Sequence, residues 1–267
     1  MDLVSIASGS SGNCIYVGSE NTSLLVDVGI SGKKIEQGLK SIEKEASKID
    51  GILVTHEHLD HISGLGVMAR RYKLPIFSTA ETIDAILNTK NLGKLDKSLF
   101  HSIKKDSPFY IGDLKVEASA TWHDAVDPVC YTFFHNQTKA AIATDMGDYD
   151  EYLIDKLRDS DILFLEANHD VHMLEVGPYP YQLKKRILGK RGHLSNERAG
   201  QLLSDLMNDH LKNIFLGHLS KENNYEQLAY ETVKLELFMR NKSIENTNIN
   251  LQVAKKDAPS RMVSVLS

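Results

Sequence analysis

Residues 56–61 read His56-Glu57-His58-Leu59-Asp60-His61 and directly follow the run Gly51-Ile52-Leu53-Val54-Thr55. This run is short, β-branched and bounded by glycine, so it predicts a buried strand that delivers His56 at its end. His56 and His58 can point the same way from an extended or loop backbone, whereas Asp60 and His61 open the next helix and can face a second ion. Borderline ions such as Zn²⁺ accept imidazole and carboxylate ligands. The stretch therefore predicts a site for two cations.

The rest of the chain alternates strands with helices around this stretch. Strands are predicted over residues 3–7, up to 17 after a Gly/Ser turn, 23–28, 75–79, 109–120 as a hairpin, 129–134, 139–144, 161–166, 213–216 and 250–254. Helices are predicted over residues 33–47, 65–72, 81–87, 195–208 and 223–239. Because no linker or short-period repeat stands out, we expect one domain over residues 1–267.

The pattern HxHxDH resembles that of the metallo-β-lactamase superfamily. Candidates for the remaining elements of that superfamily follow predicted strands in the expected order, and they are Asp27, His123, Asp145 and His218. The resemblance implies an α/β fold, an αββα four-layer sandwich of two mixed sheets with helices outside and metals at one sheet edge. It also implies the ligands: His56, His58 and His123 for one ion, Asp60, His61 and His218 for the other, and Asp145 as a bridge. Asp27 would accept a hydrogen bond from a ligand histidine and fix its tautomer.

Differences from several branches of the superfamily narrow the resemblance. Asp145 stands where antibiotic-hydrolysing members often carry cysteine, and His56 and His58 are both present where the di-iron branch replaces a histidine with glutamate. The stretch between Asp145 and His218 is too short for the large insertion of β-CASP members. These three branches are therefore disfavoured.

Two further motifs point toward phosphodiester chemistry. Residues 165–170 and 192–200 resemble the Glu- and His-bearing motifs of tRNA 3′-processing nucleases, and they contain Glu166 and His193. Residues 7–13 and 27–29 are similar to the small YycJ/WalJ/VicX subgroup, which is regarded as DNA exonuclease-like. The resemblance implies Asp60, Glu166 and His193 as catalytic residues, with His193 protonating the leaving oxygen and Glu166 orienting it. A buried ion pair is the alternative for Glu166 and His193.

Substrate binding has two candidate segments. Ser8, Ser10 and Asn13 lie in a Gly/Ser-rich turn that either cradles phosphate or only closes a hairpin, since these residue types suit both. Residues 181–193, here called the basic segment, contain no acidic residue and carry Lys184, Lys185, Arg186, Lys190 and Arg191. The segment either lines the rim of the metal cleft or forms a solvated helix face.

Composition excludes several classes of protein. The chain has 267 residues, a formal net charge of −5, 42% hydrophobic and 25% charged residues, so it is neither histone-like nor disordered. No apolar run approaches the ~20 residues of a membrane-spanning helix, and no signal peptide is apparent, which predicts a cytoplasmic location without a membrane partner. Cys14 and Cys130 form no CxxC pair, which excludes a thiolate zinc site.

The sequence thus predicts a metal-dependent hydrolase that uses a dinuclear metal-activated water as a phosphodiesterase or DNA exonuclease. The expected cofactors are two divalent ions, Zn²⁺ or alternatively Mn²⁺, the expected substrate is a nucleic acid, DNA first, and a homodimer is a possible assembly. A hydrolase of lactones, thioesters or cyclic phosphodiesters is the alternative, because the same metal cage serves these substrates and fold does not decide function. A regulatory protein without turnover would need a broken ligand set, and none is broken.

Overall fold

The strands form two seven-stranded sheets in the computed structural model, which describes residues 1–242, 244–245 and 247–265. In chain order the strands are β1 (Asp2–Ala7), β2 (Cys14–Gly18), β3 (Ser23–Val26), β4 (Gly51–Leu53), β5 (Ile76–Ser78), β6 (Phe100–Ser102), β7 (Phe109–Ile111), β8 (Leu114–Ala120), β9 (Val129–His135), β10 (Thr138–Ala143), β11 (Ile162–Glu166), β12 (Asn213–Gly217), β13 (Asn250–Val253) and β14 (Val263–Ser264). The first sheet has the order β14-β1-β2-β3-β4-β5-β6, and the second has the order β13-β12-β11-β10-β9-β8-β7.

The helices lie between the strands along the chain. They are α1 (Gly32–Ser41), α2 (Leu59–Ile62), α3 (Leu65–Tyr72), α4 (Ala80–Leu87), α5 (Glu151–Leu157), α6 (Val171–Val176), α7 (Tyr181–Ile187), α8 (Asn196–Leu206) and α9 (Glu226–Met239). Short 3₁₀ helices cover Ala46–Lys48, Lys90–Leu92 and Lys97–Leu99.

Both sheets combine an antiparallel part with a parallel part. The strands from β1 to β3 pair antiparallel and those from β3 to β6 parallel, while β7 to β10 pair antiparallel and β10 to β13 parallel. Parallel strands end at the same edge of a sheet, so the loops after β3 and β4, and those after β10, β11 and β12, leave each sheet together. The two edges meet, since Val129 at the start of β9 donates its N–H to the carbonyl of Thr55 after β4 (3.1 Å).

Three apolar clusters separate the layers. One fills the space between the sheets, a second lies between the second sheet and α5, α8 and α9, and a third lies between the first sheet and α1, α3 and α4. Alternation along β11 shows how one strand serves two layers: Ile162 and Phe164 enter the central cluster, and Leu163 and Leu165 enter the helix-side cluster. Such strands are buried on both faces. The layers run helix, sheet, sheet, helix, and the predicted αββα sandwich is confirmed.

Some predicted boundaries are wrong for local reasons. The helix predicted over residues 33–47 ends at Ser41, because the backbone of Glu43 turns left-handed (φ 59°). The strand predicted to residue 28 ends at Val26, because Asp27 has φ 57°. Helices α5, α6 and α7 were not predicted, because they have six or seven residues and are too short to show a helical period.

None of the helices in the described part of the chain has the length and apolar character that crossing a membrane requires.

Candidate metal centre

Three polar residues at the meeting edges of the sheets have left-handed backbones. Asp27 directly follows β3, His218 directly follows β12, and Asp145 lies two residues beyond β10, with φ of 57°, 57° and 58°. This conformation is uncommon outside glycine, although aspartate and histidine adopt it more readily than most residues. Strained backbones of this kind concentrate at functional sites, where the surrounding structure holds them.

Histidine and carboxylate side chains converge at these edges into four overlapping groups of potential metal-binding atoms among the described residues, and two of the groups share no residue. One group is His56, His58 and His123, and the other is Asp60, His61 and His218, with the donor atoms of each group within 4.8 Å of one another. The carboxylate of Asp145 lies between the groups, 3.2 Å from Nε2 of His61, 3.3 Å from Nε2 of His218 and 3.7 Å from Nε2 of His123. The structure thus brings together all seven residues predicted as metal ligands, in the two sets that the resemblance implies.

Hydrogen bonds fix the tautomers of two ligand histidines. Nδ1 of His61 donates to Asp27 (2.7 Å), whose carboxylate also accepts from the N–H and the hydroxyl of Thr55 (both 2.9 Å). Nδ1 of His123 donates to the carbonyl of Gly192 (2.9 Å). In its neutral form each ring would carry its one N–H on Nδ1, so Nε2 would present a lone pair to a cation that displaces any proton there. Asp27 therefore lies where it can orient a ligand histidine.

The arrangement of donors fits divalent cations. Nδ1 of His58 and Nε2 of His123 lie 3.2 Å apart, close to the ~3.3 Å between two nitrogens that share a tetrahedral zinc at about 2.0–2.1 Å. Nε2 of His56 and Oδ2 of Asp145 are buried without a hydrogen-bond partner among the described residues. Buried groups without partners are costly, and a bound cation would satisfy both atoms.

The charges around His61 also favour cations. Burial opposes protonation of this ring, yet Asp145, Asp27 and Asp60 raise the pKa of His61 well above its ordinary value. Burial raises the pKa of Asp60, but the charges of His61 and His218 outweigh burial and lower that pKa to about 2. Since neighbouring histidines also outweigh burial and hold the pKa of Asp145 well below its usual range, the carboxylates of Asp60 and Asp145 stay ionised and supply negative charge to the centre.

The buried Glu166 and the half-buried His193 form a pair beside these groups. Glu166 accepts from Nδ1 of His193 (2.7 Å) through one oxygen, and from the N–H groups of Met146 (2.8 Å) and Leu194 (3.2 Å) through the other. Burial lowers the pKa of His193, but Glu166 outweighs it and raises the pKa to about 9. Although both residues lie within metal-binding reach of Asp145 and His218, protein donors already occupy both oxygens of Glu166.

The Gly/Ser turn supports the loops of the metal centre. The hydroxyl of Ser8 accepts from the N–H of His218 (2.8 Å) and lies 3.2 Å from Oδ1 of Asn13. Nδ2 of Asn13 lies 3.3 Å from Nε2 of His61. Ser8 and Asn13 are buried, whereas Ser10 is exposed. Of the three predicted phosphate contacts, Ser8 and Asn13 thus make their hydrogen bonds inside the protein.

The basic segment includes α7, and Arg186 of this helix contacts Asp124, the chain neighbour of the candidate ligand His123. Arg186 donates to both carboxylate oxygens of Asp124 (2.5 and 2.9 Å), and Asp124 lies 3.5 Å from Nε2 of His123. Lys184 donates to the carbonyl of Glu175 (2.7 Å), and Lys185 is exposed. Among the hydrogen bonds of α7 in the described chain, that of Arg186 thus reaches a residue at the metal centre, whereas that of Lys184 stays within its own surroundings.

Two further residues, Thr55 and Asp124, contact the site although the sequence did not predict them. Thr55 contacts Asp27, and its hydroxyl lies 3.0 Å from Nδ1 of His56, while Asp124 anchors Arg186. Each is a direct chain neighbour of a predicted ligand, and this adjacency is the one signal that could have indicated them.

Comparisons with known proteins find related sequences and a similar fold. The family model described as "Beta-lactamase superfamily domain" matches residues 22–214. Exodeoxyribonuclease WalJ of Streptococcus pneumoniae serotype 2 is 41% identical over 232 residues, which cover 87% of this chain and 86% of the relative. Exodeoxyribonuclease YycJ of Bacillus anthracis is 41% identical over 228 residues, 85% of this chain and 86% of the relative. The crystal structure of the metallo-β-lactamase fold protein YhfI from Bacillus subtilis superposes with a TM-score of 0.68 at 17% identity, covering 97% of this chain and 98% of that one.

Proposed function

This chain belongs to the β-lactamase superfamily, in the group of the WalJ and YycJ exodeoxyribonucleases, and we propose that it removes nucleotides from DNA ends with the help of two divalent ions. It is a metal-dependent nuclease, and the prediction of a hydrolytic enzyme is confirmed. The relatives are named as exodeoxyribonucleases, which favours DNA as substrate and exonucleolytic action. They also favour a nuclease over the alternative hydrolase of lactones, thioesters or cyclic phosphodiesters.

The observation that carries the dinuclear proposal is the position of Asp145 between two groups of donors. His56, His58 and His123 would hold one ion, Asp60, His61 and His218 the other, and Asp145 would bind both. The predominance of imidazole favours Zn²⁺, with Mn²⁺ as the alternative. When bound, such ions lower the pKa of a water and offset the charge on phosphate oxygens.

Proton transfer to the leaving group is assigned to His193. Its Nδ1 is held by Glu166, so Nε2 is the nitrogen free to act on substrate. As the water oxygen bonds to phosphorus and the bond from phosphorus to the leaving oxygen breaks, Nε2–H would donate its proton to that oxygen. Asp60 would act as a ligand of the second ion. Its partly exposed carboxylate lies 3.4 Å from Nε2 of His61 and 3.8 Å from Nε2 of His218.

Degradation of end-labelled DNA tests the proposal. The purified chain, loaded with Zn²⁺ or Mn²⁺, should release mononucleotides from linear DNA and leave covalently closed circles intact, and elemental analysis should find two ions per chain. RNA of the same sequence, a lactone and a thioester serve as competing substrates. Failure to cut linear DNA, together with efficient turnover of the lactone or thioester, would contradict the proposal. A single domain over residues 1–267, a cytoplasmic location and a homodimer stay predictions.

A further inference from the structure

A cavity of about 340 Å³ lies on one side of His193 and is lined by none of the seven candidate metal ligands. Its walls include His169, Val171, Leu188, Lys190 and Arg198 in addition to His193. The volume lies at the small end of the roughly 300–1,000 Å³ that is usual for small-molecule sites. The cavity is therefore suited to one ligand of modest size next to the proposed proton donor.

A buried acceptor without a partner lines this cavity. His169 is 1% exposed, and its Nδ1 lies 3.3 Å from Oδ1 of Asn168, whose amide is oriented by donation from Nδ2 to the carbonyl of His218 (2.8 Å). Nδ1 therefore carries the proton, and Nε2 is a bare acceptor with no hydrogen bond in the described chain. Burial lowers the pKa of His169 to about 4, so the ring is neutral near pH 7. A ligand that satisfies Nε2 must bring a hydrogen-bond donor.

The rest of the lining is mixed: it comprises the apolar Val171 and Leu188, the cationic Lys190 and Arg198, the carboxylate of Asp148, and the small residues Gly147 and Ser195. Val171 is half-buried, and Leu188 is 45% exposed. Arg198 is held by Asp148 (2.7 Å) and lies over the ring of Tyr149 (4.3 Å). Lys190 is exposed, and no hydrogen bond or ion pair engages its side chain in the part of the chain that the structure describes. Lys190 is thus the cation that remains available to an anionic ligand.

We propose that this cavity holds the terminal nucleotide of the DNA strand that is being degraded. The assignment rests on the proposed function. A nucleotide combines an apolar base for Val171 and Leu188, a phosphate for Lys190, and a base amine or sugar hydroxyl that can donate to His169. An ionised phosphate alone brings no comparable donor, and a nucleoside alone brings no charge.

The position of His193 connects the cavity to the reaction. The same ring that lines the cavity stacks on the ring of His218 (5.3 Å between centroids) and lies tilted beside that of His123 (5.1 Å), so it stands between the cavity and these candidate metal ligands. A nucleotide in the cavity would place its sugar oxygen near His193 while the scissile phosphate lies toward the metal ligands. That nucleotide is then the leaving group, and a cavity of this size sets the length of product at one nucleotide for each cleavage.

Calorimetric titration of the metal-loaded protein with deoxyadenosine monophosphate, deoxyadenosine and inorganic phosphate tests the cavity independently of catalysis. The monophosphate should bind more tightly than either fragment. Lys190→Ala should weaken binding of the monophosphate at least about tenfold, the usual effect of losing a hydrogen bond to a charged group. Leu188→Trp should weaken the monophosphate and the nucleoside alike by filling the cavity. Lys97→Ala, an exposed lysine outside the cavity, should change neither.

The rate at which mononucleotides are released separates this inference from the proposed function. With end-labelled linear DNA, Lys190→Ala and Leu188→Trp should release mononucleotides at least about tenfold more slowly than the unmodified chain and Lys97→Ala. If both variants bind the monophosphate and release mononucleotides like the unmodified chain, the cavity assignment is overturned while the nuclease stands. If no chain degrades DNA, the proposed function falls, and with it the role of the cavity in leaving-group binding.

Discussion

The metal centre and the basic segment meet at Asp124, yet they are held in opposite ways. In the centre, His56, His61, His123 and Asp145 are buried and follow strands whose ends the sheets fix in place. In the basic segment, the lysines of α7 extend from a seven-residue helix, and Arg186 is tied to Asp124. Short side chains at strand ends take their positions from the backbone, whereas long cationic side chains take theirs from a binding partner. The two regions should therefore respond very differently to substitution.

The largest effect is expected from Asp145→Ala, which removes the carboxylate placed between both donor groups. Without it, two neighbouring cations would lose the charge that offsets their mutual repulsion. Metal content measured by elemental analysis should fall below two ions per chain, and DNA hydrolysis should be lost with it. Asp155→Ala, on the exposed face of α5, is the matched control and should keep both properties. Normal metal content and activity in Asp145→Ala would refute the bridging role.

A smaller effect is expected from His193→Ala, because the ring lies beside the ligands without being one of them. The variant should keep its metals and lose roughly 10²–10⁴-fold in DNA turnover, the usual contribution of a positioned acid or base. Hydrolysis of bis-p-nitrophenyl phosphate, whose leaving group needs little protonation, should fall much less. His172→Ala, an exposed histidine on α6, controls for the substitution itself. Equal losses on both substrates would contradict the proton-donor assignment.

The smallest effect is expected in the basic segment. If α7 contacts the DNA backbone, replacing Lys184 and Lys185 with alanine should weaken binding across all sequences and reduce the slope of log K against log salt by about 1–2. Fluorescence anisotropy at several salt concentrations measures this slope. Replacing the exposed Lys94 and Lys97 with alanine is the control. It removes the same two positive charges from a different place and should leave the slope nearly unchanged. An unaltered slope in the α7 variant would return the segment to a solvated helix face.

The order of strands and ligands could be predicted from the sequence because each ligand follows an apolar run. His56 after β4 and His218 after β12 are examples, and the sheet brings such strand ends together whatever the exact boundaries. The role of the Gly/Ser turn could not be predicted, because the residue types of residues 8–13 are equally suited to binding a phosphate and to closing a hairpin. Only the fold shows that Ser8 supports the N–H of His218, a residue 210 positions away. The pairing of Arg186 with Asp124 was equally hidden, since it joins a loop to a helix too short to predict.

The origin of the ligands in both sheets has a thermodynamic consequence. In one candidate ligand set, His56 and His58 follow a strand of the first sheet, and His123 follows a strand of the second. The other set is divided in the same way, with Asp60 and His61 beyond the first sheet and His218 beyond the second. Neither sheet alone supplies a full set of candidate ligands for either ion. Any binding energy of the ions therefore accrues only to the state in which the two sheets have docked. A higher cation concentration should therefore stabilise the folded chain, and a chelator should destabilise the docking of the two sheets against each other.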